Sequence, residues 1–249
     1  MNNQDIRDFF DAAPARIVDN DYLREPQIGG YRAVLDHFHG SAEHAILQIT
    51  VGCGKEGLMS VLPFGLAAGR VLIIAPNLVI RRGVARSLDV SDDEECFWMK
   101  ARVLESFSDG PFRAVLDRDA NLGDCHDAHF VVTNIHQLAS RAERWLPQFD
   151  EDFFDLILVD EAHHNAAESW QAVFQRFPRA KVVSLTATPF RSDGREVTGT
   201  TVYRYPFARA MQRGYIKQLR VADAQPSAIY CQFQGDNHRH SLEEVLDLR

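Results

Sequence analysis

Short apolar runs alternate with helical stretches along most of this chain, and that alternation restricts the fold more than any other feature. Ala45–Thr50, Val71–Ala75, Phe130–Thr133, Phe154–Val159 and Lys181–Leu185 are strand candidates, with a weaker one near Phe112–Leu116. Each is too short for an ordinary helix and rich in aliphatic or aromatic residues. Residues 55–67, 78–88, 134–145 and 168–176 have helical patterning and lie between them. Strands joined through helices pair in parallel and are covered on both faces. The expected class is therefore α/β, with a mostly parallel sheet and helices on both sides. Upstream, residues 4–11 read as a short helix. Residues 25–38 read as a longer one, with Ile28, Tyr31, Val34, Leu35 and Phe38 at helical spacing and Pro26 in the first turn. Pro63 is expected to end or kink the helix that contains it. After Tyr205 the pattern weakens: Phe207–Arg213 reads as a short helix, Ile216–Asp223 and Ile229–Gln234 as short strands, and Ser241–Leu248 as a terminal helix. The expected organisation is a helical extension over 1–21, one domain over 22–215, and a linker or the start of a further domain over 216–249.

Composition narrows the function classes. A chain of 249 residues with 45% hydrophobic side chains suits one large domain with an appendage. No apolar run approaches the ~20 residues needed to cross a bilayer. The first twenty residues contain acidic groups and no long apolar core, unlike a signal peptide. A cytoplasmic protein without a membrane partner is expected. Cys53, Cys96, Cys125 and Cys231 are far apart and form no CxxC pair, which argues for reduced thiols rather than a disulfide framework or a zinc site. Cys125-His126 is half of a metal-ligand pattern whose second half is missing. The acidic run Asp92-Asp93-Glu94-Glu95 reads as a solvated loop. The net charge of −8 excludes a strong global basic field. Any nucleic-acid contact must therefore come from a local patch and be weak for this domain alone.

Three short motifs carry chemistry. Gly52-Cys53-Gly54-Lys55 follows the first strand and opens a helix. A glycine-rich turn there aims backbone N–H groups at phosphate, and the lysine supplies charge for the outer phosphates. The bland alternative is a tight turn with a surface lysine. Leu156-Ile157-Leu158-Val159-Asp160-Glu161-Ala162-His163 is a buried strand with two carboxylates at its carboxyl end. One carboxylate can hold Mg and the other can activate water; the alternative is an acidic helix cap. Ser184-Leu185-Thr186-Ala187-Thr188-Pro189 again ends an apolar strand, where hydroxyls can bond the acidic motif. Ligands of parallel sheets bind at the carboxyl ends of strands, so all three motifs are expected to converge on one crevice.

In this order, GCGK, DEAH and TATP resemble motifs I, II and III of superfamily 2 DEAD/DEAH-type helicases. Arg24-Glu25-Pro26-Gln27 resembles the segment whose glutamine reads adenine. Ala75-Pro76-Asn77 resembles motif Ia and Val132-Thr133-Asn134 motif Ib. The stretches DEAHHNAAESW, LTATPFRSDG and YRYPFARAMQRGYIKQL resemble the branch containing type III restriction motor subunits and excision-repair helicases. The resemblance covers about residues 22–220 and implies an RecA-like P-loop domain that uses Mg and ATP. By resemblance, Gln27 contacts adenine, and Gly52, Cys53, Gly54, Lys55 and Glu56 surround the phosphates. Asp160 holds Mg and Glu161 activates water. His163, Thr186 and Thr188 couple nucleotide state to the rest of the motor. Pro76, Asn77 and Thr133 lie along a nucleic-acid backbone, with DNA favoured over RNA by the branch. For His163 an ordinary hydrogen-bonded histidine is an equal alternative, and His136, His164, His238 and His240 read as ordinary histidines. Arg81 and Arg82 read equally as phosphate contacts or as a solvated helix face.

Two departures stand out. The residue after the P-loop lysine should be Thr or Ser, whose hydroxyl ligates Mg, and here it is Glu56. No stretch resembles the arginine-bearing motif VI of a second motor domain, so catalysis is expected to need a separate second domain or a nuclease or helicase partner. The alternative reading is a nucleotide-binding regulatory module, catalytically impaired or truncated. A P-loop kinase or GTPase explains neither TATP nor Gln27.

Overall fold

The computed structural model describes residues 1–92, 94–116, 122–134, 137, 145–161, 167–188, 198–217, 229–233 and 236–240. These fall into two compact units, Met1–Ile216 and Lys217–Arg249. In the second, β8 (Ile229–Phe233) and β9 (Asp236–His240) pair antiparallel as a two-stranded sheet.

The first unit is built on a seven-stranded sheet with every pair parallel. The strands are β1 (Ala45–Ile49), β2 (Arg70–Ala75), β3 (Arg113–Val115), β4 (Phe130–Asn134), β5 (Phe154–Asp160), β6 (Lys181–Thr186) and β7 (Thr200–Tyr205). Their order is β3-β4-β2-β5-β6-β1-β7. Successive side chains of a strand point to opposite faces, and here each face has its own core. Val71 and Ile73 of β2, Leu156 and Leu158 of β5, and Phe130 and Val132 of β4 pack on one side. Leu72, Ile74, Ile157, Val159 and Val131 pack on the other. Burial on both faces explains why these strands read as continuous apolar runs rather than alternating ones.

The helices are α1 (Asn3–Ala12), α2 (Glu25–Gly40), α3 (Lys55–Val61), α4 (Leu78–Ser87), α5 (Phe97–Lys100), α6 (Leu122–His126), α7 (Ala167–Arg176) and α8 (Phe207–Gln212). Ile6 and Phe10 of α1 and Ile17 beyond it belong to the same core as β2 and β5. Residues 1–21 therefore pack into the domain. Helix α3 stops one residue before Leu62-Pro63, as a proline lacking an N–H requires. The helix expected over 134–145 lies largely outside the described residues, as do 218–223 of the strand expected at 216–223 and the whole terminal helix 241–248. Lys217 is in no strand.

Two elements near the nucleotide motifs have no counterpart in the sequence reading. β7 is an edge strand beside β1, and its residues Thr200–Arg204 are exposed or half-buried, so it has no apolar run to mark it. α5 is a single turn that buries Trp98, whose indole N–H donates to Ser60 O at 2.9 Å.

Candidate functional site

Lys55, Asp160 and Glu161 meet where the sheet predicts they should. β1 runs into the glycine loop, and Gly52 (φ 85°) and Gly54 (φ 86°) take left-handed conformations that favour glycine. Gly54 caps α3, so Lys55 stands in the first turn. β5 ends at Asp160. Beyond it Glu161 adopts φ 52°, an uncommon conformation for a residue with a side chain and one often found at functional positions. The Glu161 N–H donates to Leu185 O at 2.9 Å, holding that turn against β6.

Lys55 Nζ lies 3.8 Å from Asp160 Oδ1 and is hydrogen-bonded to Glu161 Oε1. All three side chains are largely buried. Burial pushes the Asp160 carboxyl up to about 6. Lys55 opposes that shift, while the Glu161 and Glu56 carboxylates reinforce it. Asp160 Oδ1 is buried and accepts no hydrogen bond among the described residues. A buried anionic oxygen without a donor suits a hard divalent cation, so Asp160 fits the Mg role. Glu56 supplies no hydroxyl. Its side chain is exposed, and Oε1 lies 3.9 Å from where a Cβ on Gly83 of α4 would sit.

The loop is fastened from α2. Gln27, only 4% exposed, accepts the Arg24 N–H at 2.7 Å and donates through Nε2 to Gly54 O at 2.9 Å. Among the described residues these two bonds leave one amide hydrogen and one lone pair that could meet a ligand. Arg24 hydrogen-bonds Gly52 O and lies 5.2 Å from the Tyr215 ring centroid. Cys53 is buried, which pushes its thiol up against the pull of Arg24 and Lys55, so it packs beneath the loop. Arg24, Gln27, the loop glycines, Lys55, Asp160 and Glu161 line a cleft of about 640 Å³ that continues past Tyr22, Phe97, Lys100 and Ala101. Sequence reasoning missed Tyr22 and Phe97 altogether, and Arg24 entered it only as a neighbour of Gln27.

The remaining expected residues are spread differently. Thr186 is buried at the end of β6, its hydroxyl donating to Thr188 O at 2.6 Å, while Thr188 is exposed. β6 pairs with both β1 and β5, so Thr186 sits between the strand that leads into the Lys55 loop and the strand that ends at Asp160. Asn77 caps α4, its side-chain oxygen accepting the Val79 and Ile80 N–H groups at 3.0 Å, and Pro76 precedes it half-buried. Thr133 is buried inside β4 with its hydroxyl on Leu116 O at 3.3 Å, and in this conformation offers no surface to a strand. His163 lies outside the described residues.

A doubly covered parallel sheet with a glycine-loop lysine, a strand-end Asp-Glu pair and a threonine-bearing neighbour strand defines the first motor domain of a superfamily 2 helicase. The family described as "Type III restriction enzyme, res subunit" matches residues 20–191, more than half of the chain, and the chain belongs to that family. Among curated proteins, the "Probable helicase A859L" of African swine fever virus (isolate Pig/Kenya/KEN-50/1950) is 25% identical over 228 residues. That alignment covers 86% of this chain and 25% of the viral protein, so the chain spans about a quarter of its relative. The "Type I restriction enzyme EcoAI endonuclease subunit" of Escherichia coli is 31% identical over 80 residues, 30% of this chain and 10% of that subunit. Among solved structures, the Pyrococcus furiosus Hef helicase domain superposes with a TM-score of 0.57 at 16% identity, covering 82% of this chain and 43% of that one, which establishes a shared fold. Among the described residues no helix is long and apolar enough to cross a membrane.

Proposed function

We propose that this chain binds Mg–ATP and serves as the nucleotide-binding half of a nucleic-acid translocase or helicase, completed by a second motor domain. The observation that carries this reading is the buried triad: a lysine held by two carboxylates, one of which, Asp160, keeps an oxygen without a donor among the described residues. Lys55 is the cation for the outer phosphates, and on nucleotide binding it exchanges its carboxylate partners for phosphate oxygens. That exchange releases Glu161 to orient and deprotonate the attacking water. Asp160 would hold Mg, which neutralises charge on the phosphates. Backbone N–H groups of the glycine loop cradle the same oxygens, and Thr186 lies where it can report the state of the carboxylate turn to β6. The proposed polymer is DNA rather than RNA, a reading supported by the restriction-enzyme subunits among the matches.

Calorimetric titration of Mg–ATP tests the nucleotide claim: saturable binding is expected, and its absence at millimolar nucleotide would remove the proposal. Binding of labelled DNA and RNA strands is expected to be weak, indifferent to sequence and steeply weakened by salt, because only backbone contacts are on offer. Tight, salt-insensitive binding would contradict the polymer reading. Glu56 favours a second reading, in which the domain binds nucleotide but hydrolyses it poorly. A third carboxylate beside the phosphates opposes the charge that Mg must neutralise.

A further inference from the structure

The first turn of α2 faces two ways. Arg24 and Gln27 reach the glycine loop, where Arg24 hydrogen-bonds Gly52 O and Gln27 donates to Gly54 O at 2.9 Å. A carbonyl shares a plane with the next residue's N–H, so these two bonds also aim the Cys53 and Lys55 N–H groups. Glu25, between them in sequence, turns to α8. Its carboxylate pairs with Arg209, accepts the Arg213 Nε–H at 3.0 Å and accepts the Tyr205 hydroxyl at 3.3 Å. Just beyond α8, Gly214 has φ 71°, a conformation that favours glycine and turns the chain back, and the Tyr215 N–H donates to Ala210 O at 3.0 Å. That reversal lays Tyr215 and Ile216 on the glycine loop. The Tyr215 ring backs the Arg24 guanidinium, and its hydroxyl accepts the Glu25 N–H at 3.3 Å. A Cβ on Gly52 would lie 3.1 Å from Ile216 Cγ2 and 3.6 Å from Tyr215 O. Ile216 is the last residue of the first compact unit. The point where the chain leaves the domain is therefore packed against the loop that meets phosphate.

We propose that Tyr215 and Glu25 are positioning residues for the phosphate loop, and that phosphate occupancy is passed through them to the exit of the domain at Ile216. The proposal rests on the nucleotide-binding reading above and adds a route by which that site is regulated. A row of loop N–H groups binds an anion only while their peptide planes converge. Arg24 sets one of those planes, and the Tyr215 ring holds Arg24 by cation–π attraction. Glu25 holds the exit itself, through α8 on one side and the Tyr215 hydroxyl on the other. A packed exit thus favours the phosphate-binding form of the loop, and by linkage a bound phosphate favours the packed exit. The coupling acts on phosphate and is indifferent to the base.

Amide hydrogen exchange of the parent, with titrations of Mg–ATP and of Mg–tripolyphosphate, which has no base, tests both directions of the coupling. Saturating Mg–ATP is expected to slow exchange at Gly214 and Tyr215 about threefold or more beyond any slowing in α1, which lines no part of the cleft. Tyr215→Leu should weaken both ligands by the same factor, about three- to tenfold, and Tyr215→Phe, which keeps the ring behind Arg24, should recover most of the loss. Glu25→Gln should weaken both by about two- to threefold. Unchanged exchange at the exit, slowing no greater than in α1, parent affinity in Tyr215→Leu, or a loss confined to ATP would overturn the proposal. So would a parent that binds ATP but not tripolyphosphate, since the loop would then carry no affinity of its own. The exchange measurement needs no variant and decides even where Tyr215→Leu does not fold. If ATP binds and the exit does not respond, the coupling fails while the nucleotide reading stands. If neither ligand binds, both fall.

Discussion

The phosphate end of the cleft and the end beside Gln27, the base end that the family resemblance implies, are unfavourable in different ways. At the phosphate end the unfavourable term is charge: two carboxylates and a lysine are held largely out of water, and one aspartate oxygen has no donor among the described residues. At the base end it is shape: Arg102, just past α5, has φ 49°, a conformation that favours glycine, and Gly57 lies inside α3, where a Cβ would meet Gln27 Nε2 at 2.4 Å. A charged cluster is relieved by a ligand of opposite pattern, so the phosphate end should respond to nucleotide more than the rest of the molecule. A strained turn is maintained by packing, so the base end should be rigid before any ligand arrives.

Breaking the charge cluster should give the largest effects. Lys55→Ala leaves two buried carboxylates facing each other, and loss of one partner from a buried ion pair costs about 3 kcal/mol of stability. Mg–ATP affinity should fall more than about a hundredfold with it. Urea denaturation and calorimetry would measure both, and retention of binding within about threefold would exclude Lys55 from the phosphate contacts.

Asp160→Asn should move stability the other way. The folded carboxyl titrates near 6, above its ordinary value of 3.8. The native state therefore holds a proton that the unfolded state releases, and the parent loses stability as pH rises between those values. At neutral pH the asparagine variant should be more stable by on the order of 3 kcal/mol, with the gap closing below about pH 4. It should also lose its dependence on Mg for nucleotide binding. Denaturation midpoints at pH 4 and pH 7 decide this, and a gap that stays constant with pH would show that Asp160 is not held against its charge.

Glu56→Thr restores the hydroxyl at the metal position and removes one negative charge. Mg–ATP binding should tighten by about tenfold, corresponding to ~1.4 kcal/mol of relieved repulsion. Unchanged or weaker binding would make Glu56 a working contact of the metal or its waters.

Gly57→Ala tests the base end with the smallest change. Helix propensity alone would stabilise it by about 1 kcal/mol, whereas crowding a packed site costs about 1–3 kcal/mol. A Cβ would lie 2.3 Å from the Phe97 ring, so a net loss of about 1 kcal/mol is expected in thermal or urea denaturation. A net gain would show that Phe97 gives way freely and that the base end is looser than the phosphate end.

The same contrast decides what could be read from the sequence. The phosphate end was legible because its residues are consecutive: GCGK and DEAH each sit at the end of one strand, and the parallel sheet brings such ends together. The five core strands were legible because burial on both faces leaves unbroken apolar runs. β7 was not, since an edge strand with half-exposed residues leaves no such run. α5, Arg102 and Tyr22 were not, because their meaning arises only after Asn20 draws two distant turns together. A single turn of helix has no periodicity to detect. Gln27 lines the cleft, and its buried bonds to Arg24 and Gly54 could not be foreseen from its neighbours.

The position of β1 in the sheet has a consequence for how the protein is made. β1 touches none of the strands that immediately follow it. Its partners are β6 and β7, with Ala45 in register with Val183 on one side and Thr200 on the other. During synthesis from the N-terminus, the phosphate loop emerges early and waits, its supporting strand unpaired, until β6 through Thr186 has left the ribosome, and the other side of β1 waits further for β7 through Tyr205. Pairings between such distant segments form slowly, and unpaired strands are prone to aggregate in the interval. The nucleotide pocket is therefore among the last parts of the domain to take shape, although its first motif is among the first to be translated.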